Sequence, residues 1–395
     1  MYDLTSYIKN SIPSKLTPEE AKTLKQLDRE YGKWFRSWWE KWDRTDCLNT
    51  DSEFKTFIEE KRKGKEYWPQ LKLVKEELDY TFINQGRELQ RKFMHFNNFL
   101  SKYYIQNIQM MCDSSEFIIR GTKDALAVAN MECCPDVPDH LYEAAFKMML
   151  DHPYKDVREQ QPYRGPDVVK EMQDHIKKLG LEYRCELNDN MIARQNVVPH
   201  IPVLHIKTDA QFSDIDVSSL KIHEVEVHVA RRYYGFKTGL NLFVDGLYHR
   251  NTLDEGLAIY NSLNKNPLGI KPNLEFDISL KTVIAKHIMT KTFHELYDWL
   301  LPICKNEQNK DIIEFVLFKN LCRFKRIVKD TRLPGGDAIS ESDYFCGWNI
   351  VKDLSPEDKE RLIRWNIGPG QMEDLDDIER FFKLNKDYFS PLKIK

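Results

Sequence analysis

No CxxC pair occurs among the eight cysteines of this 395-residue chain, which stand singly apart from Cys133-Cys134. Their spacing disfavours a cysteine-rich zinc site and a thioredoxin-type redox motif. No run approaches the roughly 18 apolar residues of a membrane span, and the opening MYDLTSYIKN lacks the apolar core of a signal peptide. Charge of one sign is missing too. The 59 basic and 62 acidic residues leave a net charge of -3, mixed along the chain, so no global field argues for nucleic acid or an anionic membrane. There is no basic recognition helix, internal repeat, low-complexity tract or long Pro/Gly/Ser linker. These absences predict a soluble, cytoplasmic protein with free thiols packed as small hydrophobes and no nucleic-acid or membrane partner. One unit, 1–395, is expected, with a helical N-terminal part (about 1–135) leading into a part that carries the chemistry (about 136–390).

What is present begins with 41% apolar residues, ample for a core. Thr17-Pro18-Glu19-Glu20 reads as a capping box with proline at the first helical position, opening a helix to about Arg44. Trp34, Trp38 and Trp42, with Phe35 and Trp39 alongside, form a stripe suited to core packing. Helical patterns follow at about 73–111, 122–131, 138–151 and 166–179, the last closed by Gly180. EYRCEL (182–187) and IPVLHIKTD (201–209) then alternate and are expected as strands. Helical periodicity resumes at about 214–234, 253–262, 278–301, 308–329, 355–365 and 374–385. The expected class is α+β, predominantly helical, with a small sheet packed beside the 214–234 segment.

That segment contains HEVEVH, residues 223–228. It looks like the zinc-protease signature His-Glu-x-x-His with one residue too many. Four helical steps bring two histidines onto one face, whereas five place them about 140° apart. Read as a strand, Val225, Val227 and Val229 alternate with Glu224, Glu226 and His228, and His223 and His228 face opposite sides. Against that, Ser213-Asp214-Ile215-Asp216 suits a helix start, Leu220, Ile222 and Ala230 extend the apolar pattern, and Gly235 suits a stop. A helix reconciles five-residue spacing with a shared metal only through a π-turn, one wider turn that realigns residues five apart.

Zinc needs a third protein ligand and an open position. Downstream, NTLDEGLAIY offers Glu255 on a second helical pattern, where Gly256 and Ala258 would permit close approach to the first helix. Taken alone, Glu255 also suits a solvated helix start. His294-Glu295 in TFHELYDWL has Asp298 where a second histidine would stand, and reads as an ordinary amphipathic helix.

HEVEVH followed by DEGLA resembles the QEGLA-motif family, which includes bacterial proteins labelled flavohemoglobin expression modulators and the animal microtubule-associated tyrosine carboxypeptidases. The resemblance extends to LEYRCELNDNMIARQNVVPHIPVLHIKTDAQFS, SEFKTFIEEKRKGKEYWPQL and CRFKRIVKDTRLPGGDAISESDYFCGW, covering roughly residues 25 to 385. It implies a gluzincin-like metallopeptidase binding one zinc per chain through His223, His228 and Glu255, with Glu224 as catalytic base. Three positions depart from the family pattern: Glu226 where glycine is preferred, Asp254 where glutamine or glutamate precedes the third ligand, and ISESDY where a Thr-Lys-Asp segment is expected.

The reaction implied is removal of C-terminal residues from a protein or peptide tail, with tubulin as the family precedent. A carboxypeptidase needs a cation for the terminal carboxylate, and Arg250, Arg323 and Arg326 are candidates by proximity or family position. Tyr233, Tyr234, Tyr248 and His249 are nearby candidates to stabilise the oxyanion. The strand around 202–207 is a candidate edge for the substrate backbone. The alternative is a non-catalytic or regulatory binding protein with a structural or vestigial zinc site, against which the glutamate at 224 counts.

Overall fold

The tryptophan stripe lies on a helix over Pro18–Trp42, and Trp34, Phe35 and Trp38 on it are buried. Trp34 stacks on Phe82 with ring centroids 4.6 Å apart and donates from Nε1 to the Phe82 carbonyl at 3.0 Å. Trp38 donates to Ser115 Oγ at 2.9 Å, so each buried indole N–H has its acceptor. The computed structural model describes residues 12–392 except 43–46, 73–78, 121–136, 158–159, 192, 199 and 327–329. The expected helix at 122–131 and the boundary near 135 lie outside the described residues.

Two long helical patterns are in fact pairs. The 73–111 pattern divides into helices Tyr80–Phe96 and Ser101–Arg120. Asn97 turns the chain through a left-handed conformation (φ 43°), and Asn98 and Ser101 tie the corner with reciprocal hydrogen bonds. The 278–301 pattern divides into Leu274–Ile288 and Phe293–Cys304, because Thr292 and Glu295 form a fresh capping box. His294 lies in that second helix with Nε2 on the Tyr67 carbonyl, an ordinary packed residue. Helices at Thr50–Arg62, Asn241–Asp245 and Ala338–Val351 were not anticipated.

The strands are short: β1 (Tyr163–Arg164), β2 (Arg184–Leu187), β3 (Gln195–Val197), β4 (Val203–Ile206) and β5 (Gln211–Phe212). β1 and β5 form an antiparallel pair. The other sheet has the order β2-β4-β3, parallel between β2 and β4 and antiparallel between β4 and β3. β4, the expected substrate edge, is therefore the central strand, paired on both sides. The edges belong to β2 and β3.

The motif segment is one continuous helical run, Asp214–Thr238, whose middle portion Lys221–Val229 is a π-helix. Val225, Val229 and Ala230 pack into the core shared with the sheet, and Val227 packs into the core of the tryptophan helix. Burial on two sides explains the strand-like valine alternation. The run ends at Gly239, left-handed at φ 79°, and not at Gly235. Gly235 instead lies against the backbone of Phe243, where a side chain would collide.

Helix Arg250–Asn264 packs on the motif helix with one side and on Ala338–Val351 with another. Gly256 does permit a close approach, but toward Gly347 on Ala338–Val351. A Cβ on either glycine would run into the other helix's backbone. Gly256→Ala should therefore destabilise the protein by about 1–3 kcal/mol through overpacking, read as a lower midpoint in urea denaturation. Gly370→Ala, which meets nothing within 4 Å, should stay within about 0.5 kcal/mol of wild type.

Candidate metal centre

Ser213 and Asp216 begin the motif helix with reciprocal capping bonds of 3.2 Å. At its wide turn the Ala230 N–H reaches the Val225 carbonyl, a bond spanning five residues. This realigns the histidines: the rings of His223 and His228 lie with centroids 5.0 Å apart. Glu255 Oε2, from helix Arg250–Asn264, lies 3.6 Å from His223 Nε2 and 3.8 Å from His228 Nε2. The three ligand atoms fall within 4.8 Å of one another. Zinc bonds of about 2.1 Å in a tetrahedron separate neighbouring ligands by about 3.4 Å, so small side-chain movements suffice. Glu255 Oε2 is buried and makes no hydrogen bond among the described residues. A desolvated carboxylate oxygen without a hydrogen bond, set beside two imidazole nitrogens, is a donor set that suits a divalent cation.

Burial would raise the Glu255 pKa, but His228 and His223 outweigh it and hold the carboxylate below its ordinary range. For His228, burial is outweighed by Asp254 and Glu255, which push the imidazole up to about 9. The shifts of these two groups come largely from each other, across 3.8 Å.

Glu224 and His223 both line a cleft of about 540 Å³, and the Glu224 carboxylate is close enough for its charge to act on His228. Gln195 of β3 donates to Glu224 Oε1 at 3.4 Å, which places the β3 edge beside it. Arg194, Lys271, Lys319, Arg323 and Arg326 bring five cations to the cleft. Arg194 and Lys271 share Asp216, at 2.9 and 2.6 Å. Arg323 binds Glu341 through Nε, and Arg326 binds Asp337 at 2.5 Å.

The expected substrate residues thus divide. Arg323 and Arg326 line the cleft. Arg250 does not: it is buried, with Nη1 on Asp254 Oδ2 at 2.9 Å one turn along its own helix. Tyr233, Tyr234, Tyr248 and His249 are also not among the residues lining it. Tyr233 and Tyr234 pack at the periphery of the sheet core. His249 starts the Glu255 helix in a left-handed conformation against Tyr248, and burial lowers its pKa to about 4.

Helix Ala338–Val351 supplies residues that sequence reasoning missed. Glu341, in the segment where a lysine was expected, is fully buried. Lys281 comes within 3.4 Å of it from another helix, joining Arg323 and Arg326. Burial would raise the Glu341 pKa, but these cations outweigh it and hold the group at about 2. Lys281 also sits 4.0 Å over the Tyr344 ring. Asp343 accepts from Thr252 Oγ1, and burial raises its pKa to about 8. In the sequence this helix was marked only by the family resemblance of the segment ending in Cys-Gly-Trp and by ISESDY, where that resemblance breaks.

The sign of the Glu341 effect is definite. Its pKa is lower folded than its ordinary 4.5, so its stabilisation is present above about pH 4.5 and is lost as pH falls through about 2. Glu341→Gln leaves three cations facing one another and should cost about 3–5 kcal/mol. Thermal melts between pH 7 and 2 should show a shallower acid decline in this variant.

None of the curated proteins compared matches the chain. Residues 135–301, which hold HEVEVH and Glu255, match the model of a family described as microtubule-associated tyrosine carboxypeptidase, and over that stretch, narrower than the 25–385 of the sequence resemblance, the chain is similar to that family.

Proposed function

We propose that this chain is a zinc-dependent, gluzincin-like peptidase of one catalytic unit that removes residues from the C-terminus of a protein or peptide. The observation that carries the reading is the convergence of His223, His228 and Glu255 on one point while Glu224, next to the first histidine, faces an open cationic cleft. The two imidazoles and the carboxylate would hold one zinc and leave a position open, the donor set of a catalytic site. Bound there, zinc would lower the pKa of a coordinated water towards about 7 and polarise the scissile carbonyl.

The chain's own groups do the rest. Glu224 takes the proton from the attacking water and returns it to the leaving amine, and its bond from Gln195 orients the carboxylate. The β3 edge pairs with an extended substrate. Arg323, its Nε fixed by Glu341, keeps its terminal N–H groups for the substrate carboxylate. The cations of the cleft suit an acidic tail. Tubulin is the first substrate to try, because the matched family is named for microtubules and tyrosine. A cytoplasmic setting agrees with that substrate. Among the described residues, no helix is long and apolar enough to cross a membrane.

Protein purified without chelator should contain one zinc per chain by elemental analysis, and His223→Ala should contain almost none. Glu224→Gln should keep its zinc and lose about 10²–10⁴-fold in cleavage rate, followed by mass spectrometry of peptides with free C-termini. Zinc-loaded wild type that trims no peptide, or a Glu224→Gln variant as fast as wild type, would sink the hydrolase reading in favour of a binding protein. Arg323→Gln should raise KM roughly 10–100-fold, the loss of about 1.5–3 kcal/mol from a charged hydrogen bond. A substrate with an amidated C-terminus should be insensitive to that change.

A further inference from the structure

Each histidine of the cluster has a second ring nitrogen. His228 Nδ1 lies 3.3 Å from Asp254 Oδ1, and His223 Nδ1 lies 3.4 Å from Ser262 Oγ. Asp254 and Ser262 stand on the same helix, Arg250–Asn264, that supplies Glu255. Their partners decide which way the protons run. Ser262 donates its only hydroxyl proton to the Ala258 carbonyl at 2.8 Å, leaving lone pairs for His223. Asp254 accepts a hydrogen bond from Arg250 Nη1 at 2.9 Å on Oδ2 and has Arg231 Nε at ion-pairing distance, 3.0 Å from Oδ1. Oδ1, buried and without a hydrogen bond among the described residues, faces His228 as an available acceptor. Arg231 is in turn held by Asn366 and the Ile367 carbonyl.

We propose that helix Arg250–Asn264 is a one-piece clamp. Beyond supplying Glu255, it uses Asp254 and Ser262 as positioning residues that keep a proton on Nδ1 of both histidines and turn both Nε2 lone pairs to the metal. The inference rests on the zinc reading above. It makes Asp254, which departs from the family pattern, an acceptor short enough to fit between two buried arginines and still reach His228. Such outer partners fix tautomer and ring orientation and typically set 10–100-fold in metal affinity.

Two measurements on the full chain test it without recourse to activity. Zinc affinity is measured by competition with a chelator of known strength, alongside urea denaturation of the metal-free proteins. Asp254→Asn should bind zinc roughly 10–100-fold more weakly, and Ser262→Ala should also bind more weakly while its metal-free stability shows that it folds. In the cobalt-substituted wild type, proton NMR should display two strongly shifted, exchangeable N–H resonances, one per Nδ1–H. Ser262→Ala should lose or broaden one of them and keep the other, a change that loss of packing alone would not produce. Should Asp254→Asn fail to fold, Ser262→Ala and the wild-type spectrum decide. Unchanged zinc affinity in Ser262→Ala, or wild-type cobalt protein without these resonances, overturns the clamp while the zinc reading stands. Wild type that takes up neither zinc nor cobalt overturns both. Metal binding with both resonances but no peptide cleavage supports the clamp and removes only the peptidase.

Discussion

A hydrogen bond spanning five residues, from Ala230 N–H to the Val225 carbonyl, is the constraint on which the centre of this protein depends. An extra residue in a regular helix turns everything after it by about 100°. Here that would swing His228 off the face of His223, and Val229 and Ala230 off the sheet core. The wide turn absorbs the extra residue locally, so the helix resumes in register on both sides. Such turns have poorer geometry and persist where their surroundings over-determine them. Val225, Val227 and Val229 are all completely buried, in two different cores.

Two buried acids complete the arrangement. Asp254 lies between Arg231 and Arg250, and Glu341 lies among Lys281, Arg323 and Arg326. A buried carboxylate is tolerated only when paired and hydrogen-bonded, and each of these is compensated by more than one cation. The excess is what makes them useful. Asp254 has capacity left for His228, and the guanidinium that Glu341 grips still reaches the cleft. The Gly256–Gly347 contact brings the helices carrying these two acids together, so the ligand cluster and the cationic wall share one rigid support.

Much of the site was legible because its residues are rare types at unusual spacing. Two histidines five apart, an adjacent glutamate and DEGLA pointed to a candidate metal site, and a π-turn, which the structure contains, is what brings such a pair onto one face of a helix. Other features were hidden for physical reasons. Glu341 and Asp343 went unremarked, since burial of a charge is invisible until its partners from distant helices are known. Arg250 looked available because proximity in sequence does not reveal that Asp254, one turn on, already holds it. The split at Asn97 escaped notice because apolar periodicity continues across a left-handed corner. Strand alternation located β2 and β4 but not β3, so the edge was placed on the wrong strand.

The edge that does flank Glu224 is short. β3 spans Gln195–Val197, and three residues at about 3.3 Å each amount to roughly 10 Å of pairing surface. A guest strand on such an edge gains few backbone bonds, too few to compensate for pulling a folded segment out of its parent. On the proposed peptidase reading, the geometry therefore favours chains that are already unstructured near their ends, whose ordering entropy is modest because only about two or three residues are immobilised. Seen this way, the brevity of one strand acts as a filter on the conformation of a substrate before any side chain is read.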